Sequence, residues 1–193
     1  LRNRQDTLNF YRDWASRYEA HVTDKLNWVA PQVLARQIAP YVQRNHRILD
    51  IGCGTGLSAL SLAEHQQLRF DGIDFSTEML DIARNKKLYD ELYALDLNDP
   101  LDIASDRYDA AISSGTFTFG HVGPEPIIEI LRVMRTGGHF AFTVHQEAWE
   151  KMAFDVMVDR LVDAGNAEVV EKKLDLYIVT DDPNGIYCLL RKC

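Results

Sequence analysis

Positive charge is in short supply. The chain carries 21 lysines and arginines against 29 acidic side chains, a net charge of −8. No basic run is longer than a pair such as Lys86-Lys87 or Lys172-Lys173. Nucleic-acid binding draws most of its affinity from cations that neutralise phosphates, so a nucleic-acid partner is not expected. Cysteine is scarce too. Cys53, Cys188 and Cys193 form no C-x-x-C pair, which leaves no zinc or disulfide framework, and no metal centre is expected. The three fit a reducing compartment, with the cytoplasm as the expected location. No apolar stretch approaches the roughly 20 residues that cross a bilayer. The opening Leu1-Arg2-Asn3-Arg4-Gln5-Asp6 lacks the apolar centre of a signal peptide, so no membrane association is expected. Internal repeats, low-complexity tracts and Gly/Ser/Pro-rich linkers are also missing.

What remains is an ordinary globular composition of 193 residues, 46% hydrophobic and 26% charged, enough for one well-buried domain and short for two. Apolar strand-like runs alternate with amphipathic stretches. Strands are expected at 47–51, 69–74, 91–97, 108–113 and 139–144, the last entered through a Gly137-Gly138 turn. Helices are expected at 57–64, at 77–86 with Ser76 as N-cap, and at 125–134 with Ile127, Ile128, Leu131 and Met134 on one face. This strand-then-helix order points to a parallel sheet covered on both faces. The tail reads as one helix over 148–164. Two strands follow, 168–179 and 186–191, paired antiparallel through Asp181-Asp182-Pro183-Asn184-Gly185. Two helical segments, 7–21 and 28–41, precede the sheet.

The strongest motif is Asp50-Ile51-Gly52-Cys53-Gly54-Thr55-Gly56, between the first strand and first helix. Glycines there allow a tight turn and close approach of a ligand, and loops at the carboxyl ends of parallel strands are where open α/β sheets bind. A dinucleotide fingerprint would need glycine at position 57, which is Leu57. No Gly-Lys-Ser/Thr follows, so a phosphate-cradling loop is excluded. Asp50 offers a carboxylate that can pair with an ammonium group. Asp74, at the end of the second strand, can accept both hydroxyls of a ribose. Its alternative role is as a negative charge at a helix N-terminus.

These residues resemble the class I, Rossmann-like S-adenosylmethionine-dependent methyltransferases. Ile48-Leu-Asp-Ile-Gly-Cys-Gly-Thr-Gly-Leu57 is similar to their first motif, and Phe70-Asp-Gly-Ile-Asp-Phe-Ser-Thr-Glu-Met-Leu80 to their second. Tyr93-Ala-Leu-Asp-Leu97, Tyr108-Asp-Ala-Ala-Ile-Ser-Ser114 and 131–142 resemble the later strand motifs, with Thr136-Gly137-Gly138 where Pro-Gly-Gly is usual. Tyr11-Arg-Asp-Trp-Ala-Ser-Arg-Tyr18 resembles the helix that covers the cofactor. Within the class, the resemblance is nearest to the methyltransferase-like proteins named after the Williams–Beuren syndrome region. It implies a doubly wound seven-stranded sheet, mostly parallel with an antiparallel C-terminal strand, and N-terminal helices over the cofactor. It also implies one domain over 1–193: a cap at 1–45, a cofactor core at 46–145, and a C-terminal helix and hairpin at 146–193.

The resemblance assigns contacts as well. Asp50, Gly52 and Gly54 would hold the methionine end of S-adenosylmethionine, with Cys53 exposed in the loop. Asp74 would bind ribose, Phe75 and Met79 would flank adenine, and Asp96 and Leu97 would meet its edge. Ser113 and Ser114 would line the pocket below the sulfonium, and Tyr11, Trp14 and Tyr18 would close it from above. S-adenosylhomocysteine would be the product. Displacement at a sulfonium carbon needs alignment more than it needs a base. His121 and His145, after the fourth and fifth strands, are the candidate bases, since imidazole exchanges protons near neutrality. The absence of an Asp/Asn-Pro-Pro-Tyr/Phe signature and of an inserted domain favours a small-molecule acceptor. Two other uses stay open from the residues: a non-catalytic cofactor-binding regulatory module, and an NAD-dependent oxidoreductase. Monomer and dimer are both compatible with the sequence.

Overall fold

The computed structural model describes residues 19, 27–119, 122–179 and 182–193. Seven strands form one sheet: β1 (Arg47–Ile51), β2 (Arg69–Asp74), β3 (Tyr89–Ala94), β4 (Tyr108–Ser114), β5 (Met134–His145), β6 (Ala167–Asp175) and β7 (Gly185–Lys192). Their order is β3-β2-β1-β4-β5-β7-β6. The first five pair parallel, while β7 pairs antiparallel with both β5 and β6. The chain thus leaves β1 in opposite directions, toward β2 and toward β4. Such a reversal opens a crevice at the strands' carboxyl ends.

Among the described residues, α1 (Ala30–Ile38) runs into a 3₁₀ turn at Ala39–Tyr41 and precedes β1, while α2 (Leu57–Ala63), α3 (Thr77–Asn85), α4 (Ile127–Val133), α5 (Gln146–Lys151) and α6 (Phe154–Asp163) connect the strands. Strand alternation divides the core between two faces. Ile48 packs with Ala59 and Leu62 of α2 and Leu34 and Ile38 of α1. Leu49 and Ile51 join Ile130, Phe142 and Phe154 on the other face. Asp50, with the parity of Ile48, therefore points to the α2 side.

The strands β1 and β2 fall where the sequence predicts, and Ser76 caps α3 by accepting from Met79 N at 3.3 Å. Four expectations are corrected. First, β3 starts two residues before the expected 91 and ends at Ala94, because Tyr89 pairs with Phe70. Second, β5 begins at Met134, with Gly137-Gly138 inside the strand. Tyr108 pairs with Met134 and Ala110 with His139, so the strand bulges. Gly137 (φ +82) absorbs the bulge, and a Cβ on Gly138 would meet Asp109 O at 2.8 Å.

Third, the helix expected over 148–164 is two helices, broken at Ala153 (φ +55). Five residues of continuous helix would set Trp149 and Phe154 about 140° apart. The break lets both reach Phe142, at ring separations of 6.1 and 6.5 Å, and stack on each other at 5.6 Å. Fourth, Ile128 faces outward on α4, and Ile130 takes its place inside.

At mid-strand in β2, Asp71 is fully buried. It accepts from Arg47 Nε at 3.1 Å, Tyr108 Oη at 2.8 Å and Arg107 Nη2 at 3.3 Å, tying β1, β2 and β4 together. Removing one partner of a buried ionic group leaves the others uncompensated. Asp71→Ala is expected to lower stability by roughly 3–5 kcal/mol in urea unfolding. Glu168→Ala, which removes only the exposed pair with Arg191, should barely move the midpoint.

Candidate functional site

The loop after β1 is bent by three left-handed glycines, Gly52 (φ +61), Gly54 (φ +53) and Gly56 (φ +95). Two of them answer to close neighbours. A Cβ on Gly52 would lie 2.2 Å from Thr116 Oγ1, and one on Gly56 would lie 3.0 Å from Tyr89 Oη. Around Gly54 nothing stands within 4 Å of that position, so its backbone faces open space. The loop is fixed from below by the Ile51 carbonyl, which accepts from Ser113 Oγ at 2.9 Å and Thr116 Oγ1 at 3.0 Å. Cys53 N donates to Ile73 O at 2.8 Å and pins the loop to β2.

That pin overturns the expectation of an exposed Cys53. The side chain is turned inward and buried. Its sulfur occupies the space over Gly72, where a Cβ would stand 2.9 Å away. Burial pushes the thiol well above its ordinary pKa, so it is a packing group and not a surface nucleophile.

Asp50 is 1% exposed. Its Oδ2 accepts from Tyr89 Oη at 2.7 Å, while Oδ1 finds no hydrogen-bond partner among the described residues. Tyr89 reaches it by crossing Gly72, where a Cβ would stand only 3.0 Å from the ring. Burial pushes the Asp50 carboxyl up to about 7, against the opposing pull of the Tyr89 phenol and Ala59 N–H. The negative charge of Asp74 adds to the rise. A buried carboxyl with an orphaned oxygen, and no cation beside it among the described residues, can take a positive charge.

Asp74 ends β2. Its Oδ2 accepts from Gly54 N and its Oδ1 from Ser76 N, both at 2.8 Å. Burial raises its pKa, and the N–H groups of Ser76, Gly54 and Phe75 pull it back. The two bonds aim the carboxylate and leave a further lone pair on each oxygen. Its alternative place as a negative charge at a helix start is observed, since it accepts from Ser76 N and Ser76 is the cap of α3.

The other expected residues distribute unevenly. Phe75 is half-buried beside Asp74, and Met79 is buried on α3. Asp96 and Leu97 lie just past the end of β3. Asp96 Oδ1 accepts from Asn98 N at 3.0 Å and Asn98 Nδ2 at 2.9 Å, a local turn. Ser113 is buried and spends its hydroxyl on Ile51. Ser114 Oγ sits 2.6 Å from Ser58 Oγ of α2, so both serines brace the loop from β4. His145 is half-buried at the end of β5, where its Nδ1 accepts from Glu147 N at 3.3 Å and caps α5. That bond occupies the lone pair a base would use. Tyr11, Trp14, Tyr18 and His121 lie outside the described residues.

Two contributors went unnoticed in the sequence. Tyr89 was missed because the third strand was started at 91. Thr116 was missed because nothing local marks a threonine beyond Ser114 as the neighbour of Gly52.

A methyltransferase domain family matches residues 48–138, from β1 into β5. Methyltransferase-like protein 27 of Homo sapiens is 33% identical over 165 residues, covering 82% of this chain and 66% of the relative. An O-methyltransferase of Aspergillus nomiae is 28% identical over 170 residues, covering 81% of this chain and 67% of that protein. The chain thus spans about two thirds of the length of these relatives. A chain of the solved complex between the Haloferax volcanii Trm112 methyltransferase activator and a methyltransferase shares the fold. It has a TM-score of 0.74, at 18% identity, over 94% of this chain and 97% of that one. With the glycine bend, the two carboxylates and the 3-2-1-4-5-7-6 sheet in place, the chain belongs to the class I S-adenosylmethionine-dependent methyltransferases.

Proposed function

We propose that the protein transfers the methyl group of S-adenosylmethionine to a small-molecule acceptor in the cytoplasm, and that the crevice at the ends of β1, β2 and β4 holds the cofactor. The observation that carries the reading is the buried, half-satisfied carboxylate of Asp50 beside the open backbone of Gly54. Its orphaned Oδ1 suits the ammonium of a methionine moiety, and the open face of Gly54 suits close packing of that chain. Asp74, held by two backbone N–H groups, suits a ribose diol. Phe75, half-buried beside Asp74, and Met79 on α3 would flank adenine, with Asp96 and Leu97 at its edge.

When bound, the cofactor supplies an electrophilic methyl on a sulfonium. The protein's own part is to align and to exclude water. Ser113, Thr116 and the Ser58–Ser114 pair keep the loop stiff, so the methionine end is held without reorganisation. Alignment of this kind is worth roughly 7–11 kcal/mol in well-oriented reactions. The net charge of −8 supports a small-molecule acceptor over a nucleic acid. Among the described residues no helix is long and apolar enough to cross a membrane.

Calorimetry with S-adenosylhomocysteine is the direct test, and absence of binding would refute the reading. Asp74→Ala is expected to weaken binding by about 10- to 100-fold, through loss of charge-assisted hydrogen bonds. It should also abolish any S-adenosylhomocysteine release found across an acceptor panel. Binding with no release from any acceptor would favour a non-catalytic use.

Asp50 adds a pH dependence whose sign is fixed. In the unfolded chain its carboxyl ionises near 3.8, and in the fold near 7. The stabilising effect of the raised value is complete below about pH 4 and is lost as pH rises through about 7. An ammonium ligand prefers the ionised form. Affinity for S-adenosylhomocysteine should therefore rise about tenfold from pH 6 to pH 8, with proton release on binding at the lower pH. Asp50→Asn should flatten that slope and weaken binding. A wild-type affinity that does not change across this range would show that ionisation of Asp50 is not coupled to binding there.

A further inference from the structure

Two chain segments meet above the carboxyl ends of β4 and β5. Val29 N donates to Tyr177 O and Val179 N to Asn27 O, each at 3.1 Å, and Trp28 bridges Ile178 in antiparallel fashion. The pairing lays two aromatic rings beside Gly115, the residue after β4. A Cβ there would stand 3.0 Å from Trp28 Cζ2 and 3.7 Å from Tyr177 Oη. The two rings meet edge to face at 6.1 Å. His145, at the end of β5, meets Tyr177 edge to face at 6.2 Å. All three rings are half-buried. The next residue along, Thr116, is the one packed over Gly52, so this aromatic group adjoins the glycine loop.

His145 has a defined polarity. Its Nδ1 accepts from Glu147 N, so in the neutral ring the proton resides on Nε2. Toward a ligand the imidazole is then a donor. Glu147 itself turns to Lys151 Nζ at 2.6 Å. A neutral amine that accepted from Nε2–H would use up its only lone pair. An oxyanion accepts and keeps lone pairs for attack.

We propose that Trp28, Tyr177 and His145 form the acceptor subsite, and that it takes a planar conjugated oxyanion, an aryl carboxylate or a phenolate, for methylation on oxygen. The proposal rests on the cofactor reading given above. Trp28 and Tyr177 supply flat apolar surface for the conjugated plane, and His145 Nε2–H holds the oxyanion. A second oxygen lone pair forms the bond to the methyl carbon as the carbon–sulfur bond breaks, and that bond's electron pair stays on sulfur. The negative charge of the acceptor and the positive charge of the sulfonium cancel. No proton leaves the acceptor, so a histidine committed as a donor suffices.

The test uses protein saturated with S-adenosylhomocysteine, titrated with benzoate, para-nitrophenolate and aniline, and followed by NMR at the Trp28 indole and the ¹⁵N-labelled His145 ring. Binding of benzoate, of para-nitrophenolate or of both, with aniline silent, supports the subsite and tells which oxyanion it prefers. Equal binding of aniline, no binding of either anion, or a proton on Nδ1 of His145 overturns it. His145→Asp keeps the helix cap but replaces the donor with a negative charge, and should weaken anion binding at least about tenfold. His145→Asn keeps both cap and N–H, and should stay within about threefold of wild type. Unchanged anion affinity in His145→Asp also overturns the proposal. The S-adenosylhomocysteine titration that precedes the probes separates the two readings. Its failure refutes the cofactor site, whereas cofactor binding without anion binding refutes the acceptor subsite alone.

Discussion

The carboxyl edge of the sheet is organised around one buried carboxyl group. Asp50 stands where strand alternation points it away from the larger aromatic core and under the glycine loop. One oxygen is held by the Tyr89 phenol and the other is unanswered. Burying a carboxylate without a cation is costly, and the group responds by holding its proton to about pH 7. The surroundings sustain this at several points. Gly72 gives Tyr89 its path and Cys53 its place, and Gly56 lets the ring lie against the start of α2. A side chain at either glycine would displace the phenol or the loop.

Rigidity elsewhere makes that arrangement persist. The Ile51 carbonyl accepts two hydroxyls from the β4 side, and Asp74 accepts two backbone N–H groups from the β2 side. The loop is therefore clamped from both neighbours of β1 at the point where the sheet reverses direction. In mid-sheet, Asp71 joins the same three strands through two arginines and a tyrosine. The position of the loop is set by the sheet, and the sheet is set by buried polar ties as well as by its apolar faces.

Beyond β4 and β5 the chemistry changes from carboxylates to rings. The pairing of Asn27–Val29 with residues 177–179 brings the start and the tail of the described chain together over the sheet. Trp28 comes from one and Tyr177 from the other, and Gly115 gives them room. His145 caps α5 through Nδ1 and meets the Tyr177 ring edge to face. The aromatic group and the glycine loop therefore adjoin at Gly115-Thr116, where Gly115 faces the two rings and Thr116 packs over Gly52.

Much of the site was legible because it is local. The 47–51 strand announces itself by Ile48, Leu49 and Ile51, the 69–74 strand by Phe70 and Ile73 in the strand-then-helix order, and the glycine bend by its spacing. Asp50 and Asp74 follow by position, and Ser76 follows as a cap. Elements shaped by distant contacts were not legible. Gly137-Gly138 resembles a turn in isolation and becomes a bulge only when Asp109 lies alongside. Residues 148–164 carry a continuous helical pattern, and the break at Ala153 exists because Trp149 and Phe154 must both reach Phe142. Cys53 reads as a loop residue until Gly72 opens a space beneath it.

By itself the sequence determined the parallel architecture, the place of the loop and the identity of its two acids, because those depend on periodicity and on the freedom of glycine within a few residues. Only the tertiary structure decided that Tyr89 holds Asp50, that Thr116 guards Gly52, and that Trp28 meets Tyr177. Each of these is a contact between segments remote in the chain. A short stretch of sequence carries no record of which distant side chain will fill the space it leaves.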